Sequence, residues 1–472
     1  MSSHSSEAPK SEVHITKTLV VAAVAAAISF IPPPEGLTVV SMRFIACFFF
    51  MVASMLANAL PMWAAANMAG IAMVLFKILP FTTVYSAWSS STIWMVLGVM
   101  TLATILGDTG LMRRIAFVIL SWFPPNFAGT AIAITIASLV LGPIVPSSSA
   151  KMAILTPFAG TLGKEIGLKP NSKSIVGLWF LVNINVMIIA VAFLTGSNIT
   201  FMLLGMLPAE TSVGLRSWMG WFSNTWIWLV IMVAGSVLYT LFFMKPKEQA
   251  TMSKDVVKKM LEDLGPMSRN EKISAFVLTF CVLLWLTSDI HKIDNGVVTW
   301  LGIFILVMFG LMTTADTYSK LPFGMIFMFA PMMGLIEGLT PLGITGFIAA
   351  TLGPVLTALI PNGFVFVIVV VLVTFALRMF VDQISILAVA ASVFIPIAMA
   401  MGINPWVAMF AMWSSSYIWI MPHNNFLVIQ MSGLMGNVFE FKDAQPLTWI
   451  YMGLTLIGNI ASVPLWMAAG ML

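Results

Sequence analysis

The chain has 472 residues, of which 60% are hydrophobic and 8% charged, with a formal net charge of +4 and a mean hydropathy of +1.01. Soluble domains carry about 25% charged residues, so this chain has too little polar surface to cover itself in water. Composition excludes a soluble globular protein and predicts an all-α polytopic membrane protein.

A polar tail, residues 1–14, is read as cytoplasmic, and the apolar segment after it as an uncleaved first span because no small-residue cleavage site follows. One span takes about 20 apolar residues. Segments of that kind lie near 15–31, 38–59, 62–79, 86–107, 174–207, 218–244, 273–290, 296–314, 322–350, 405–435 and 446–470. Two regions, 126–168 and 362–401, are too long for one span and are interrupted midway by small or polar residues. Both read as re-entrant hairpins, which survive at membrane depth only where protein or a watery cavity surrounds them. The expected architecture is therefore about 11 transmembrane spans plus two re-entrant hairpins. Cys47 and Cys281 sit in apolar runs and no CxxC or Cys/His cluster occurs, so no metal centre is expected.

Residues 245–272 form the long hydrophilic stretch, with seven of the 22 basic residues. Its charge reads as cytoplasmic, and its pattern as a solvated amphipathic linker. It separates a first transmembrane half, 15–244, from a second, 273–472. The halves resemble each other. "GLKP" ends at Pro170 and "GINP" at Pro405, an offset of 235; "PPN" ends at Asn126 and "IPN" at Asn362, an offset of 236. "IWMVLGVM" begins at Ile93 and "IFMFAPMM" at Ile326, an offset of 233. Lys164, Lys169 and Lys173 follow the first hairpin, whereas the matching loop Gly402-Ile403-Asn404-Pro405 is uncharged. Positive residues stay inside, so the halves are expected to be inverted repeats, with Arg113 and Arg114 also on the inner side. Secondary transporters of that plan bind substrate near the midplane, where helices break.

At an offset of 235, Ser147-Ser148-Ser149 falls opposite Asp382-Gln383-Ile384, each trio at a hairpin turn. A second break follows in each half: Thr195-Gly196-Ser197-Asn198 in "LTGSNITF" and Pro422-His423-Asn424-Asn425 in "IMPHNNFL". Such clusters interrupt a helix and leave backbone groups unpaired. With Ser, Thr and Asn side chains these suit a carboxylate or a small cation. The candidate substrate-binding residues are Ser147, Ser148, Ser149, Lys151, Thr195, Ser197, Asn198, His423, Asn424 and Asn425. The candidate ion-binding residues are Asp382, Gln383, Ser147 and Gly196. An intramembrane enzyme would need a nucleophile with its base, paired intramembrane aspartates or His-Glu-x-x-His, and ATP hydrolysis a GxxxxGK[ST] loop; the sequence has none of them. Paired broken helices suit alternating access better than a channel.

On these motifs the sequence resembles the divalent anion–sodium symporter family, from about Ile15 to the C-terminus. The resemblance implies a dimer in which a transport domain moves as an elevator, carrying di- or tricarboxylates or sulfate. Family hairpin tips carry Ser-Asn-Thr; here Ser147-Ser148-Ser149 and Asp382-Gln383-Ile384 stand in their place, which leaves sodium coupling and the substrate open. Lys151 is placed similarly to a basic residue of exchanger-type relatives, and the resemblance implies that this fixed cation substitutes for sodium. A charge near the bilayer centre is costly and usually functional; the other reading is a lysine snorkelling to the interface. Asp382 reads either as a sodium or proton ligand or as the ion-pair partner of Arg378, four residues earlier. His423 reads as an anion contact or proton relay, and Glu337 as an interfacial carboxylate or a functional one. The resulting expectation is a secondary active transporter of small organic anions in the inner membrane, an anion exchanger ahead of a sodium- or proton-coupled symporter or the membrane subunit of a binding-protein-dependent uptake system. No cofactor is expected beyond sodium as candidate coupling ion. The expected partners are the small anion, the lipid bilayer and a second copy, with no nucleic acid.

Overall fold

Polar residues at the edges of the apolar runs set where helices start. Asn126 accepts from Gly129 N at 2.7 Å and Asn362 from Val365 N at 2.9 Å, each as an N-cap satisfying an otherwise orphaned donor. Thr38 with Ser41 and Ser268 with Glu271 form capping boxes. The computed structural model describes residues 13–472 apart from 58, 144–147, 209–210, 212–213, 248–258, 260, 317–322, 340, 345, 348–349, 352–359, 381–382, 422–423 and 425.

In chain order the main helices are α1 (Ile15–Ser29), α2 (Val39–Leu56), α3 (Met62–Leu75), α4 (Ser91–Asp108), α5 (Leu111–Ser121) and α6 (Phe127–Leu141). There follow α7 (Ser148–Glu165), α8 (Lys173–Ala192), α9 (Asn198–Gly205), α10 (Trp218–Phe243), α11 (Arg269–Leu286) and α12 (Asn295–Met308). The chain continues with α13 (Phe323–Glu337), α14 (Gly363–Arg378), α15 (Gln383–Ala400), α16 (Pro405–Ser415), α17 (Phe426–Leu434) and α18 (Leu447–Ala468). The described residues contain no strand. α2, α8, α10 and the stretch Phe441–Ala468 are long and apolar enough to cross a bilayer, whereas α1, α3, α6, α12 and α14 are apolar but shorter. Ile93–Asp108 and Leu111–Ser121 meet at 69°, and α5 buries Leu111, Met112, Ala116, Phe117, Ile119 and Leu120 on one face. The repeat is visible in the backbone: Gly167 and Gly402, 235 residues apart, both adopt positive φ (81° and 72°).

The chain forms two compact units. In the first, residues up to Ser89 with Phe323–Ala350, α2 packs against α1 and α3, and α13 packs on α3. Ser41 Oγ donates to Leu342 O at 2.8 Å and Asn67 Nδ2 to Phe327 O at 2.7 Å, tying segments distant in sequence. Glu337 lies here at the exposed end of α13, where its carboxylate accepts from Ser86 Oγ at 3.0 Å.

The second unit holds everything else, including both hairpins. At its centre α8 is buried on all sides after its first residue, as expected of a helix that is apolar all round. α7, α10 and α6 pack around it. The hairpin arms are α6 with α7 and α14 with α15. α8 ends at Phe193, and a short 3-10 turn (Leu194–Gly196) precedes α9. α16 likewise stops at Ser415 before α17 resumes at Phe426.

One expectation is corrected. The described end of the hydrophilic stretch is not a free solvated linker. Leu261 and Leu264 pack against a cluster of Phe117, Leu120, Ala133, Phe158 and Leu162 from α5, α6 and α7. Arg114 Nε bonds Glu271 Oε1 at 2.8 Å, and its Nη1 donates to Gly265 O at 2.9 Å. The amphipathic pattern does have an apolar side, and a protein surface covers it.

Candidate functional site

The first hairpin turn and the first helix break converge on Ile189 of α8. A Cβ at Gly142 would meet the Ile189 side chain at 1.8 Å, and one at Gly196 would meet the Ile189 carbonyl at 2.1 Å. Any side chain at Gly196 would push the break off α8. With glycine there, the Gly196 carbonyl faces Lys151, whose Nζ donates to it at 2.7 Å. Lys151 is fully buried. It points inward from the first turn of α7 rather than snorkelling, and this carbonyl is its hydrogen-bond partner among the described residues. Thr195 Oγ1 donates to Pro143 O at 2.6 Å and accepts from Trp218 Nε1 at 3.2 Å, which holds the break against the hairpin turn. Ser197 caps α9, accepting from Ile199 N at 3.2 Å.

The second half builds its break differently. Arg378, in the last turn of α14 and fully buried, donates through Nε to Ser416 O at 2.6 Å and through Nη2 to Asn424 O. The guanidinium spans both ends of the break. The Asn424 amide returns the contact, donating to Arg378 O at 2.8 Å and Met379 O at 3.3 Å and accepting from Met421 N at 2.7 Å. Gln445 Nε2 donates to Ile420 O at 2.7 Å, and Trp419 N to Thr448 Oγ1 at 3.1 Å. Asn424 was read as a substrate contact; here its amide straps the hairpin to the break. Arg378, read locally as an ion-pair partner of Asp382, reaches 38 and 46 residues along the chain to backbone oxygens.

Tyr417 joins the two halves. Its buried hydroxyl lies within hydrogen-bond reach of Ser148 from the first hairpin, Ser197 from the first break and Gln383 from the second hairpin. Gln383 Nε2 also donates to Ser416 Oγ at 2.8 Å. Thus Ser148, Ser197 and Gln383, all singled out in the sequence, meet at one side chain that was not. Ser147, Asp382, His423 and Asn425 lie outside the described residues, as do the side chains of Ser149 and Asn198. A lattice of buried aromatic rings backs the cluster. Trp413 stacks near Tyr417 with centroids 4.9 Å apart, and Trp419 lies 5.6 Å from Tyr451. Trp179, Trp413 and Trp419 are wholly buried, and Trp179 lies 6.0 Å from Trp419.

Hydroxyls, an amide and one ammonium collected at interrupted helices, inside a bundle of apolar helices, define a multi-pass membrane protein of the paired-hairpin class. The solved YdaH transporter of Alcanivorax borkumensis has this fold: the chains are 15% identical, with a TM-score of 0.56 over 93% of this chain and 99% of that one. The chain belongs to the divalent anion–sodium symporter family, matching the model of the sodium:sulfate symporter transmembrane region over residues 12–472. It is similar to dicarboxylate transporter 2.1 of Arabidopsis thaliana chloroplasts, 25% identical over 70% of this chain and 60% of that protein. It is also similar to YflS of Bacillus subtilis, a protein named as a putative malate transporter, 24% identical over 67% of each. The aligned region spans about 58–61% of the length of the chloroplast relatives. These relatives are transporters, not enzymes.

Proposed function

We propose that this chain is a secondary carrier of small organic dianions, of the di- or tricarboxylate class, and that it works as an exchanger in the cell's inner membrane. The observation that carries the reading is Lys151. A buried ammonium has three donors, and one goes to Gly196 O. The others have no partner among the described residues and would meet a carboxylate beside Ser148, Ser197 and Gln383. A lysine in an apolar core needs an anionic partner, and a dianion supplies it. The C-terminal end of α8 carries partial negative charge, which in a cation-coupled carrier attracts the coupling ion. Here the lysine occupies that place, so the empty site keeps an uncompensated charge and returns poorly without cargo. Obligatory exchange follows. Dicarboxylate and malate carriers among the relatives support the substrate class. The part carrying both hairpins moves as an elevator in a homodimer.

The family's name favours sodium symport, and Asp382 or His423 would serve a cation or proton in that case. Counterflow separates the readings. Proteoliposomes loaded with unlabelled dicarboxylate should take up labelled dicarboxylate without sodium, and empty vesicles should not. Sodium-driven uptake into empty vesicles, undiminished in Lys151→Ala, would overturn exchange and the lysine's role together.

A further inference from the structure

Away from the hairpins, α1, α2 and α3 enclose a cavity of about 720 Å³. Its walls are apolar, with alanines such as Ala22, Ala26 and Ala46 beside Phe50, Met68 and Phe76, and Arg43 and Ser29 are its polar lining residues beside Cys47. Arg43 is the one charged residue of α2, and α2 is a membrane span. It sits four residues into the helix, about 6 Å from the helix start at 1.5 Å per residue. Among the described residues its guanidinium has no hydrogen-bond or ion-pair partner. Glu35, the acidic residue of the α1–α2 turn, is exposed and makes no ion pair with it.

The cavity has two ends. α1 and α2 are joined by the short turn at 30–38, so Ser29, Pro33, Val39 and Arg43 lie near one membrane face. Ala22 and Phe50 lie about two turns or more deeper. The shape is that of an amphiphile: a cationic mouth at the interface and a smooth, methyl-lined slot beneath it.

We propose that this cavity is a binding site for an anionic phospholipid, its headgroup phosphate on Arg43 and one acyl chain between the apolar walls. Arg43 is exposed near the start of α2, and its planar fork matches phosphate oxygens bidentately. Basic pockets between membrane helices hold acidic lipid headgroups in this way. With no carboxylate paired to Arg43 among the described residues, the site carries positive charge, which favours an anionic headgroup over a zwitterionic one.

The purified full chain in detergent is incubated separately with phosphatidylglycerol, phosphatidylcholine and inorganic phosphate, and retained lipid is read by native mass spectrometry alongside the thermal midpoint. Phosphatidylglycerol should be retained about fivefold over phosphatidylcholine, the preference one interfacial arginine provides, and should raise the midpoint. Arg43→Ala should lose the preference, and Arg43→Lys should keep part of it. Ala26→Trp, an exposed position on the cavity wall, keeps the charge but fills the slot. It should lose the lipid while its lipid-free midpoint stays. Equal retention of both lipids by the unaltered protein and Arg43→Ala would overturn the site. Stabilisation by inorganic phosphate alone would make it a free-anion site instead. A change of oligomeric mass in Ala26→Trp, with lipid retention intact, would make the slot an interface between copies.

Discussion

The two halves each bring a buried cation to the carbonyls of an interrupted helix, yet they use different residues for it. Lys151 gives one hydrogen bond to one carbonyl. Arg378 clasps two, eight residues apart in sequence, and the Asn424 amide doubles the clasp. An ammonium is a compact point charge with three rotatable donors, whereas a guanidinium is a rigid fork suited to holding two acceptors in fixed geometry. The first half therefore keeps capacity for a ligand, and the second is built to hold its own backbone still. Repeated architecture has diverged, with an ammonium on one carbonyl in the first half and a guanidinium across two in the second.

The sharpest way to break this contrast is to remove both cations separately. Lys151→Ala should leave the fold standing and cut sodium-free counterflow by about ten- to a hundredfold, from about 1.5–3 kcal/mol for hydrogen bonds to a charged group. Lys151→Arg should recover part of it, since the charge stays while the donor geometry changes. Arg378→Ala should do the reverse. It orphans buried carbonyls at Ser416 and Asn424, at about 1–3 kcal/mol each, so the loss appears in the thermal midpoint and in yield. Protein that survives should bind substrate with little change. Equal losses of affinity in both variants would show that the second half binds too.

Tyr417 tests the contact between the halves and should matter less. Tyr417→Phe keeps the ring packed on Trp413 but removes the hydroxyl shared by Ser148, Ser197 and Gln383. One neutral hydrogen bond is worth about 0.5–1.5 kcal/mol, so apparent affinity measured by competition in counterflow should weaken about two- to tenfold. An unchanged affinity would mean that the hydroxyl only fastens the hairpins together.

How much of this was readable from residues alone depends on whether the signal is local. Both hairpin turns announce themselves because Gly142, Pro143 and the serines, or Met379 to Gln383, interrupt apolar runs too long for one span. The caps Asn126 and Asn362 and the glycines 167 and 402 repeat at offsets of 236 and 235 because a helix start or a left-handed turn needs the same residue in each half. Lys151 stood out by charge. Tyr417 did not: nothing local marks a tyrosine whose partners lie 269 residues back at Ser148 and 34 back at Gln383. For Arg378 the sequence offers Asp382, four residues on, as one candidate partner because side-chain spacing is visible there, whereas the backbone carbonyls of Ser416 and Asn424 carry no residue-type signature. The hydrophilic linker misled for a related reason. Its charges outnumber Leu261 and Leu264, and which surface those two leucines cover is a tertiary fact.

The linker provides the smallest expected effect and a control on the comparison, because its ion pair lies outside both helix breaks. The Arg114 guanidinium beside Glu271 holds that carboxyl below the usual carboxylate range, with the Ser268 backbone bond helping and burial opposing. A carboxyl depressed in the folded protein contributes stability that is fully present above its unfolded value, about 4.3, and is lost as pH falls through the folded value. Between pH 5 and 8 this pair should therefore leave the thermal midpoint flat, and below about pH 4 the midpoint should drop. Glu271→Gln removes the titrating group. Its midpoint at neutral pH should be modestly lower, because Arg114 loses a charged partner but keeps the Gly265 and Leu264 carbonyls, and the acid-side drop should shrink. Counterflow by the surviving protein at neutral pH should match the unaltered chain, as the Glu271 clasp touches neither Lys151 nor Tyr417. A matching loss of transport in Glu271→Gln would instead tie the Arg114–Glu271 clasp on α5 to the hairpin that carries Lys151, and the contrast between the two halves would have to include the linker.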